Sequence, residues 1–437
     1  MRSSTAPYIW DSAETLPQKE RERLQLARLR ACIARVSSVP FYAEQLRSGG
    51  VTAENLRSLD DLLRLPFTTK EHLREHYPFG LLAVPSEQVV RVHGSSGTTG
   101  KLTLVGSTRA DLELWAEMMA RALAAAGVRP GDIVQNAYGY GLFTGGLGFH
   151  DGATRIGATV LPISGGNTQR QIQLMHDLGT TVLCSTPTYA LLLAEVLETM
   201  DDVRGALRLR VGMFGGEPWS EQLRATLEAR LGLMAVDHYG LSEIIGPGVA
   251  AECSERQGLH INEDHFLPEV IDPDTGERLP DGAVGELVLT CVTKEALPLL
   301  RYRTRDRTRL LREPCACGRT TVRMERVQGR TDDMLIVRGV NLFPSQIETA
   351  LLAFGEIEPH YQIIVERTGG VLDELEVVVE APTRLAEQQE AWGALEGQLA
   401  RRLHDALGLH CRVRVVAPQS LPRSTGKATR VIDRRTL

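Results

Sequence analysis

A run of glycine, serine and threonine that ends in lysine stands near residue 100, as Gly94-Ser95-Ser96-Gly97-Thr98-Thr99-Gly100-Lys101. Such a loop presents backbone N–H groups and hydroxyls to the oxygens of a polyphosphate. It does not fit the Walker A pattern, because Ser95 stands where the first glycine belongs and Leu102 follows the lysine. Residues 95–101 are therefore a candidate phosphate-binding loop, and a flexible surface turn is the alternative.

Three further segments carry groups that complement a nucleotide. His238-Tyr239-Gly240-Leu241-Ser242-Glu243 offers a ring for a base, a hydroxyl for a phosphate and a carboxylate for Mg²⁺. Asp306 stands among cations in Tyr302-Arg303-Thr304-Arg305-Asp306, where it could bind a ribose diol or form a surface salt bridge. Lys427 ends the segment Leu421-Pro422-Arg423-Ser424-Thr425-Gly426-Lys427, for which solvated surface is the alternative.

Lysine is scarce in this chain. Of the 49 basic residues only five are lysine, namely Lys19, Lys70, Lys101, Lys294 and Lys427. Lysine is a compact point charge, whereas arginine is a planar fork, so the two do not replace each other freely. Lys101 and Lys427 both directly follow a glycine in segments rich in serine and threonine, which makes them candidates for phosphate chemistry.

Composition limits the class of protein. The 437 residues are 43% hydrophobic, enough for a large core and for two or three domains. The net charge of −6 argues against nucleic acid as a partner. There is neither an apolar run long enough to span a membrane nor a signal-peptide pattern at the N-terminus, so we expect a cytoplasmic protein.

The hydrophobic pattern predicts an α/β fold with two parts. Residues 1–90 read as mostly helical, and residues 91–330 alternate short apolar runs with helical stretches, which is typical of a mostly parallel sheet. The predicted strands there are 133–135, 159–162, 181–185, 209–214 and 234–238. After Asp332 the pattern restarts as a small α+β unit over 331–437, with strands at 334–338, 362–365 and 375–379 and helices at 344–354 and 387–407.

Taken in order, these segments resemble the adenylate-forming superfamily of acyl-CoA synthetases, carrier-loading adenylation domains and luciferases. The chain is most similar to the phenylacetate–CoA ligases, from about Glu14 to Arg435. Besides the segments above, the similarity rests on these motifs: Tyr138-Gly139-Tyr140-Gly141-Leu142-Phe143-Thr144-Gly145-Gly146, Phe214-Gly215-Gly216-Glu217-Pro218-Trp219, Gly329-Arg330-Thr331-Asp332-Asp333-Met334 and Arg338-Gly339-Val340-Asn341-Leu342-Phe343-Pro344-Ser345-Gln346-Ile347-Glu348.

The resemblance implies a large adenylate-forming domain, a small mobile lid, and two half-reactions with ATP, Mg²⁺ and coenzyme A. It implies these roles: phosphate binding by Ser95, Ser96, Gly97, Thr98, Thr99, Gly100 and Lys101; nucleotide binding by Gly216, Glu217, Pro218, His238, Tyr239, Gly240, Ser242, Asp306 and Arg330; catalysis by Lys427 and Glu243, the latter holding Mg²⁺; a hinge at Asp332; and a CoA channel at Arg338, Gly339 and Val340. A cation placed between the acid and the α-phosphate offsets the repulsion of two anions.

The expected acyl pocket departs from the family pattern. Its residues are Tyr138, Tyr140, Phe143, Gly215, His238 and Ile245. In phenylacetate ligases position 238 is usually apolar, Gly216 is more often alanine, Asp151 more often tyrosine, Asn262 often tryptophan and Leu102 usually proline. We therefore expect an aryl acid with a hydroxyl, amino or ring-nitrogen group, and neutral drift is the alternative.

Seven cysteines are too few and too scattered for a disulfide framework. Cys315 and Cys317 form a C-x-C-G turn, and Cys253 and His260 offer a second pair about sixty residues earlier. Three thiolates and an imidazole make a closed tetrahedral set, as in structural zinc sites. We predict a structural Zn²⁺ at these four residues, with free loop cysteines as the alternative.

Other functions remain open at this point. The adenylate could load a carrier protein instead of CoA, and a homodimer is an alternative to a monomer. A kinase-type enzyme would release ADP, which the broken Walker pattern disfavours. A catalytically inactive nucleotide-binding module is disfavoured by the presence of both Lys427 and Glu243.

Overall fold

The structure is a computed structural model of the chain, and it describes residues 8–95, 102–203, 205–338, 340–354, 357–368 and 372–435. The α-helices of this part are α1 (Gln18–Val36), α2 (Pro40–Gly49), α3 (Lys70–Glu75), α4 (Arg109–Ala125), α5 (Gly145–Ile156), α6 (Thr168–Leu178), α7 (Pro187–Leu197), α8 (Glu221–Leu231), α9 (Pro344–Leu352) and α10 (Trp392–Leu407). Short 3₁₀ helices lie at Ser12–Thr15, Leu59–Arg64, Ser86–Gln88, Thr383–Leu385 and Gln389–Ala391.

The strands follow in chain order: β1 (Arg91–Ser95), β2 (Thr103–Ser107), β3 (Ile133–Asn136), β4 (Thr159–Leu161), β5 (Val182–Ser185), β6 (Val211–Gly215), β7 (Met234–Leu241), β8 (Gly246–Glu252), β9 (Leu259–Ile261), β10 (Phe266–Ile271), β11 (Gly285–Cys291), β12 (Tyr302–Thr308), β13 (Leu310–Leu311), β14 (Arg323–Met324), β15 (Leu335–Val337), β16 (Val340–Leu342), β17 (Tyr361–Thr368), β18 (Leu372–Glu380), β19 (Arg412–Val416) and β20 (Val431–Asp433).

A nine-stranded sheet organises the larger part, in the order β13-β14-β9-β8-β7-β6-β5-β3-β4. The strands from β4 to β7 are parallel, as the alternating pattern predicts. From β7 to β13 the pairing is antiparallel, because β7 and β8 are joined by a short turn instead of a crossover helix. The α/β prediction is thus confirmed, and the central sheet is mixed where a mostly parallel one was expected.

Helix α4 packs at the centre of the larger part. A threonine cap opens it: the Asp111 backbone N–H donates to Thr108 Oγ1 at 3.1 Å, and the Thr108 N–H donates to Asp111 Oδ2 at 2.9 Å. Trp115 is 2% exposed, and its indole N–H donates to the Pro247 carbonyl on β8 at 2.8 Å. This bond anchors the helix to the antiparallel half of the sheet.

The C-terminal residues form a second α+β core, again as predicted. A four-stranded sheet, β19-β18-β17-β20, carries α9 and α10, and its apolar cluster contains buried side chains such as Leu351, Ile363 and Leu399. Helix α10 begins at Trp392, later than the predicted 387, because a 3₁₀ turn occupies Gln389–Ala391. In the described residues we find no helix both long and apolar enough to cross a membrane.

Replacing Trp115 with phenylalanine should destabilise the fold. The change leaves the buried Pro247 carbonyl without its donor, which costs about 1–3 kcal/mol of unfolding free energy. Urea denaturation measures this value. Trp10→Phe is the matched control, because the Trp10 indole donates to Glu117 Oε1 at 2.8 Å in a half-buried position and should cost less. Equal losses in both variants would contradict the anchoring role of Trp115.

Candidate active site

The site lies where the parallel strands β6 and β7 end. Gly215 closes β6 opposite His238 of β7, so the Gly-Gly-Glu and His-Tyr-Gly segments leave the sheet side by side. A Cβ at position 215 would stand 2.5 Å from the His238 carbonyl oxygen. Gly216 has φ of +81°, a backbone conformation that favours glycine. The two glycines therefore open the end of the sheet to a ligand, as loops at strand ends do in α/β folds.

Glu243 lies at the bottom of this opening and is 4% exposed. Its Oε1 accepts a hydrogen bond from Ser95 Oγ at 2.8 Å and lies 3.1 Å from Lys70 Nζ. Burial works against ionisation of this carboxyl, but the Lys70 ammonium and the hydrogen bonds overcome it, so its pKa lies below its usual value. Glu243 is thus a buried anion, and hard carboxylate oxygens are the donors that Mg²⁺ prefers.

Two lysines that the motifs did not identify lie beside Glu243. Lys70 is the first residue of α3, and Lys294 is 1% exposed with its ammonium 3.4 Å from the Glu243 carbonyl oxygen. Burial lowers the pKa of Lys294. The scarcity of lysine was the sequence signal that could have found both residues. Their positions place two cations beside Glu243, and the buried Asp111 carboxylate also lies near Lys294.

Tyr239, Asp306 and Arg330 form one side of the opening. The Tyr239 hydroxyl donates to Asp306 Oδ2 at 2.5 Å, and Arg330 Nη1 donates to Asp306 Oδ1 at 3.1 Å. Burial raises the pKa of Asp306, and Arg330 opposes this shift. Arg330 also donates to Asp332 at 2.8 Å. The Tyr239 hydroxyl and the Arg330 guanidinium are therefore joined through one buried carboxyl group.

The C-terminal segment with Lys427 docks on this opening. The Glu217 carboxylate accepts the backbone N–H of Thr188 and that of Ala428, both at 2.8 Å. Thr186 Oγ1 donates to the Gly426 carbonyl at 3.1 Å. These bonds fix the residues on both sides of Lys427 against the ends of β5 and β6.

The Lys427 ammonium consequently points into the opening. A Cβ at Gly216 would lie 3.8 Å from Lys427 Cε, and Lys427 Nζ lies 5.5 Å from the centre of the Phe143 ring. Desolvation by the surrounding walls lowers the pKa of Lys427 although solvent still reaches the side chain, while Glu217 and Asp306 oppose the shift. Lys427 and Glu243, predicted from segments far apart in sequence, contribute to one electrostatic site.

The predicted acyl pocket is partly core. Tyr138 is buried, stacks on Phe149 with ring centres 4.9 Å apart, and has its hydroxyl 2.8 Å from His238 Nε2. The His238 ring is 6% exposed, and its Nδ1 has no hydrogen-bond partner within the described part of the protein. Phe143 is exposed at the rim. Tyr138 and His238 therefore present a polar pair in an otherwise apolar wall.

The remaining pocket and nucleotide residues are placed around these groups. Tyr140 is half-buried with its hydroxyl accepting from Asn136 at 2.8 Å, and Ile245 is buried. Ser242 is buried with its hydroxyl 3.2 Å from Thr144 Oγ1. Pro218 is exposed beyond Glu217, and Gly240 lies where β7 crosses close to Gly246.

Two of the positions that depart from the family pattern, Asp151 and Asn262, are not part of the polar pair. Asp151 accepts a hydrogen bond from Arg91 at 3.0 Å, and Asn262 joins a buried network with Arg121 and the Gly248 carbonyl. Both side chains thus have bonding partners of their own, and the expectation that the departures cluster at the pocket stays a prediction for these two positions. His238 and Gly216 do lie together at the opening.

Some predicted site residues lie away from this opening, and others lie outside the described residues. Ser96, Gly97, Thr98, Thr99, Gly100, Lys101 and Gly339 lie outside the described residues, so their roles stay predictions. Arg338 donates to the Asp373 carbonyl at 2.8 Å and Val340 packs on the C-terminal core, so the expected CoA segment bonds within the C-terminal part.

The four predicted zinc ligands are brought together, as expected. The ligand atoms of Cys253, His260, Cys315 and Cys317 all lie within 4.8 Å of one another, and all four residues are buried.

Comparison with known proteins agrees with this site. The AMP-binding enzyme family model matches residues 84–291, and that of the AMP-binding enzyme C-terminal domain matches residues 339–435. The phenylacetate-coenzyme A ligase of Thermus thermophilus is 52% identical over 97% of this chain and 98% of its own length. The enzyme of the same name from Escherichia coli K12 is 49% identical over 98% of each chain.

Among solved structures, 2-hydroxyisobutyryl-CoA ligase with 2-HIB-AMP in the postadenylation state is similar, with a TM-score of 0.91 and 30% identity over 100% of this chain and 94% of that one. The same enzyme with 2-HIB-AMP and CoA in the thioesterification state gives a TM-score of 0.72 over 99% of this chain and 94% of that one. From its near-full-length identity to these ligases, and from the adenylation-type site that its own residues build, the chain belongs to the phenylacetate–coenzyme A ligase family.

Proposed function

We propose that the protein ligates coenzyme A to an aryl carboxylic acid that carries a polar ring substituent. The ligase chemistry comes with the family: the acid attacks the α-phosphorus of ATP, pyrophosphate leaves, and the CoA thiol then displaces AMP from the acyl-adenylate. The observation that carries the proposal is the docking of Lys427 over Gly216, beside the polar pair of Tyr138 and His238.

The first half-reaction needs positive charge between two anions. Lys427 enters from the C-terminal part, and its ammonium would lie between the acid carboxylate and the α-phosphate. Glu243 would hold Mg²⁺ together with phosphate oxygens of ATP, and the metal would supply charge to the leaving pyrophosphate. Lys70 now balances the Glu243 charge, and it would shift toward phosphate oxygens when the metal binds. Residues 95–101 would cover the β- and γ-phosphates.

The nucleoside would bind on the opposite side of Lys427. Gly216, Glu217 and Pro218 would line the adenine, and Tyr239, held by Asp306, would stack on it. Asp306 would receive the ribose hydroxyls, with Arg330 bonded to the same carboxyl group, and Ser242 would reach the α-phosphate. This arrangement places the α-phosphorus between Ser242 and Lys427.

The second half-reaction would need a different domain orientation. The present orientation has Lys427 docked, and its closer similarity is to a ligase in the postadenylation state. Rotation about Asp332 would withdraw Lys427 and bring Arg338, Gly339 and Val340 to the thiol channel. The Arg330–Asp332 hydrogen bond at 2.8 Å links the nucleotide side of the site directly to that hinge.

The polar pair of Tyr138 and His238 indicates which substituent the acid carries. His238 is neutral at pH 7, because burial lowers its pKa to about 4, with Asp237 opposing this shift and the Lys427 charge adding to it. A neutral ring has one donor and one acceptor nitrogen, and Nε2 is already bonded to Tyr138. The other nitrogen is buried without a partner, which costs free energy unless a ligand bonds to it. A hydroxyl or amino substituent on the aryl ring would supply that bond.

Coenzyme A is favoured over a carrier protein as the acceptor. The relatives that match nearly the whole chain are coenzyme A ligases. A fatty acid–[acyl-carrier-protein] ligase of Streptomyces coeruleorubidus matches only 48% of the chain at 28% identity. Thioester formation with free CoA, measured directly, decides between the two acceptors.

Lys427→Ala should abolish the first half-reaction selectively. We expect acid-dependent ATP–pyrophosphate exchange to fall about 10²–10³-fold, because the charge that stabilises the transition state is lost. Thioester formation from a preformed aryl-adenylate should stay within several-fold of wild type. The control is Lys19→Ala at an exposed position, which should leave both rates unchanged. Full exchange activity in the Lys427 variant would refute the assigned role.

The substrate class is tested by a panel of aryl acids. We expect kcat/KM to be about 10–100-fold higher for a hydroxy- or amino-substituted acid than for phenylacetate, since an unpaired buried nitrogen costs about 1–3 kcal/mol. His238→Leu should reverse this preference. If phenylacetate is used as well as every substituted acid, the polar-substituent proposal fails, whereas the ligase assignment fails only if no acid supports AMP formation.

Acid should weaken the wild-type fold through His238. The unfolded imidazole titrates near 6.5 and the folded one near 4, so between these pH values the unfolded state binds more protons and stability falls as the pH is lowered. The expected loss between pH 7 and pH 4.5 is about 2 kcal/mol. Urea unfolding at pH 7 and pH 4.5 should show a smaller loss in His238→Leu. The exposed His176→Leu is the control for the substitution itself, and identical pH dependence in all three proteins would contradict the prediction.

A further inference from the structure

The geometry points to a structural zinc site at Cys253, His260, Cys315 and Cys317, which fastens the edge of the nine-stranded sheet to the N-terminal segment. These residues take no part in the ligase chemistry described above. They come from two separate stretches of chain: Cys253 follows β8, His260 is the middle residue of β9, and the other two cysteines lie between β13 and β14.

The distances fit four ligands around one small ion. Cys253 Sγ and Cys315 Sγ are 3.7 Å apart, and Cys317 Sγ is 3.4 Å from His260 Nε2. Tetrahedral Zn²⁺ with bonds of about 2.3 Å to sulfur and about 2.0 Å to nitrogen requires S···S near 3.8 Å and S···N near 3.6 Å. A disulfide would need the two sulfurs about 2 Å apart, so the thiols are positioned as separate ligands.

Each sulfur also has a backbone hydrogen-bond donor. The sulfurs of Cys253, Cys315 and Cys317 accept backbone N–H groups of Glu255, Cys317 and Arg319, in each case two residues further along. The same contact thus occurs three times, which is more than free loop cysteines require.

The surroundings of the ligands complete the site. His260 Nδ1 lies 3.2 Å from Thr321 Oγ1, so the ring is oriented with Nε2 toward the sulfurs. The Arg319 side chain bonds to Cys317 and to Glu14, which places a buried cation beside a site whose three thiolates exceed the charge of Zn²⁺. The three thiols pack with Ala125 of α4 in a small cluster separate from the main core.

The connection to the N-terminal segment gives the site a structural role. Arg319 Nη2 donates to the Tyr8 carbonyl at 2.7 Å, and the Thr320 N–H donates to the Glu14 carbonyl at 3.0 Å. A metal that fixes Cys315 and Cys317 therefore also fixes the neighbouring residues that hold the N-terminus. Loss of the metal should loosen this edge of the nine-stranded sheet and leave the nucleotide-binding residues in place.

Metal analysis of the purified full-length protein, prepared without a histidine tag, tests the proposal. We expect about one equivalent of zinc by mass spectrometry, less than about 0.2 in Cys317→Ser, and an unchanged content in Cys411→Ser, whose cysteine lies in the C-terminal part. His260→Cys should keep zinc because it retains four ligands. Zinc retained in His260→Cys would show that the loss of zinc in Cys317→Ser comes from the missing ligand and not from unfolding.

Cobalt substitution reports directly whether the cysteine sulfurs bond to the metal. Wild type, Cys411→Ser and His260→Cys loaded with Co²⁺ should show strong thiolate-to-cobalt absorption, and Cys317→Ser should lose most of it. A strong chelator should lower the melting temperature of wild type by several degrees. Less than half an equivalent of metal in wild type, iron in place of zinc, or equal zinc in wild type and Cys317→Ser would each overturn the proposal.

Discussion

The Glu217 carboxylate joins the two parts of the molecule, and the arrangement of the site depends on it. One of its oxygens accepts the Thr188 N–H at the start of α7, and the other accepts the Ala428 N–H next to Lys427. A carboxylate that accepts two backbone donors is a strong and directional link. Hydrogen bonds thus hold the residues on both sides of Lys427.

Charge in the site is arranged around few groups. Glu243 is a buried anion beside Lys70 and Lys294, and the buried Asp306 carboxyl group is bonded to Arg330. Charges held apart from water interact more strongly than charges at the surface. Three of the five lysines of the chain, Lys70, Lys294 and Lys427, lie in this region.

Much of the fold follows from local pattern. The parallel strands β3 to β7, helix α9 and the C-terminal strands β17 and β18 lie within a few residues of their predicted positions, because apolar periodicity is imposed by the core that each element faces. Antiparallel pairing of β8, β9 and β14 was not predicted. It depends on short connections and on long-range pairing, such as Arg323 with His260, which no local window contains.

The sequence by itself determined the chemistry: which cations, carboxylates and glycines are present, the order of the motifs that mark the family, and the Cys-x-Cys pair. Only the tertiary structure decided which of these groups meet. It placed Lys70 on Glu243, bonded His238 to Tyr138, directed Asp151 to Arg91 and brought Cys253, His260, Cys315 and Cys317 together. The physical reason is that residue type fixes what a side chain can bond to, whereas its partner is fixed by how the strands pair and how the helices pack.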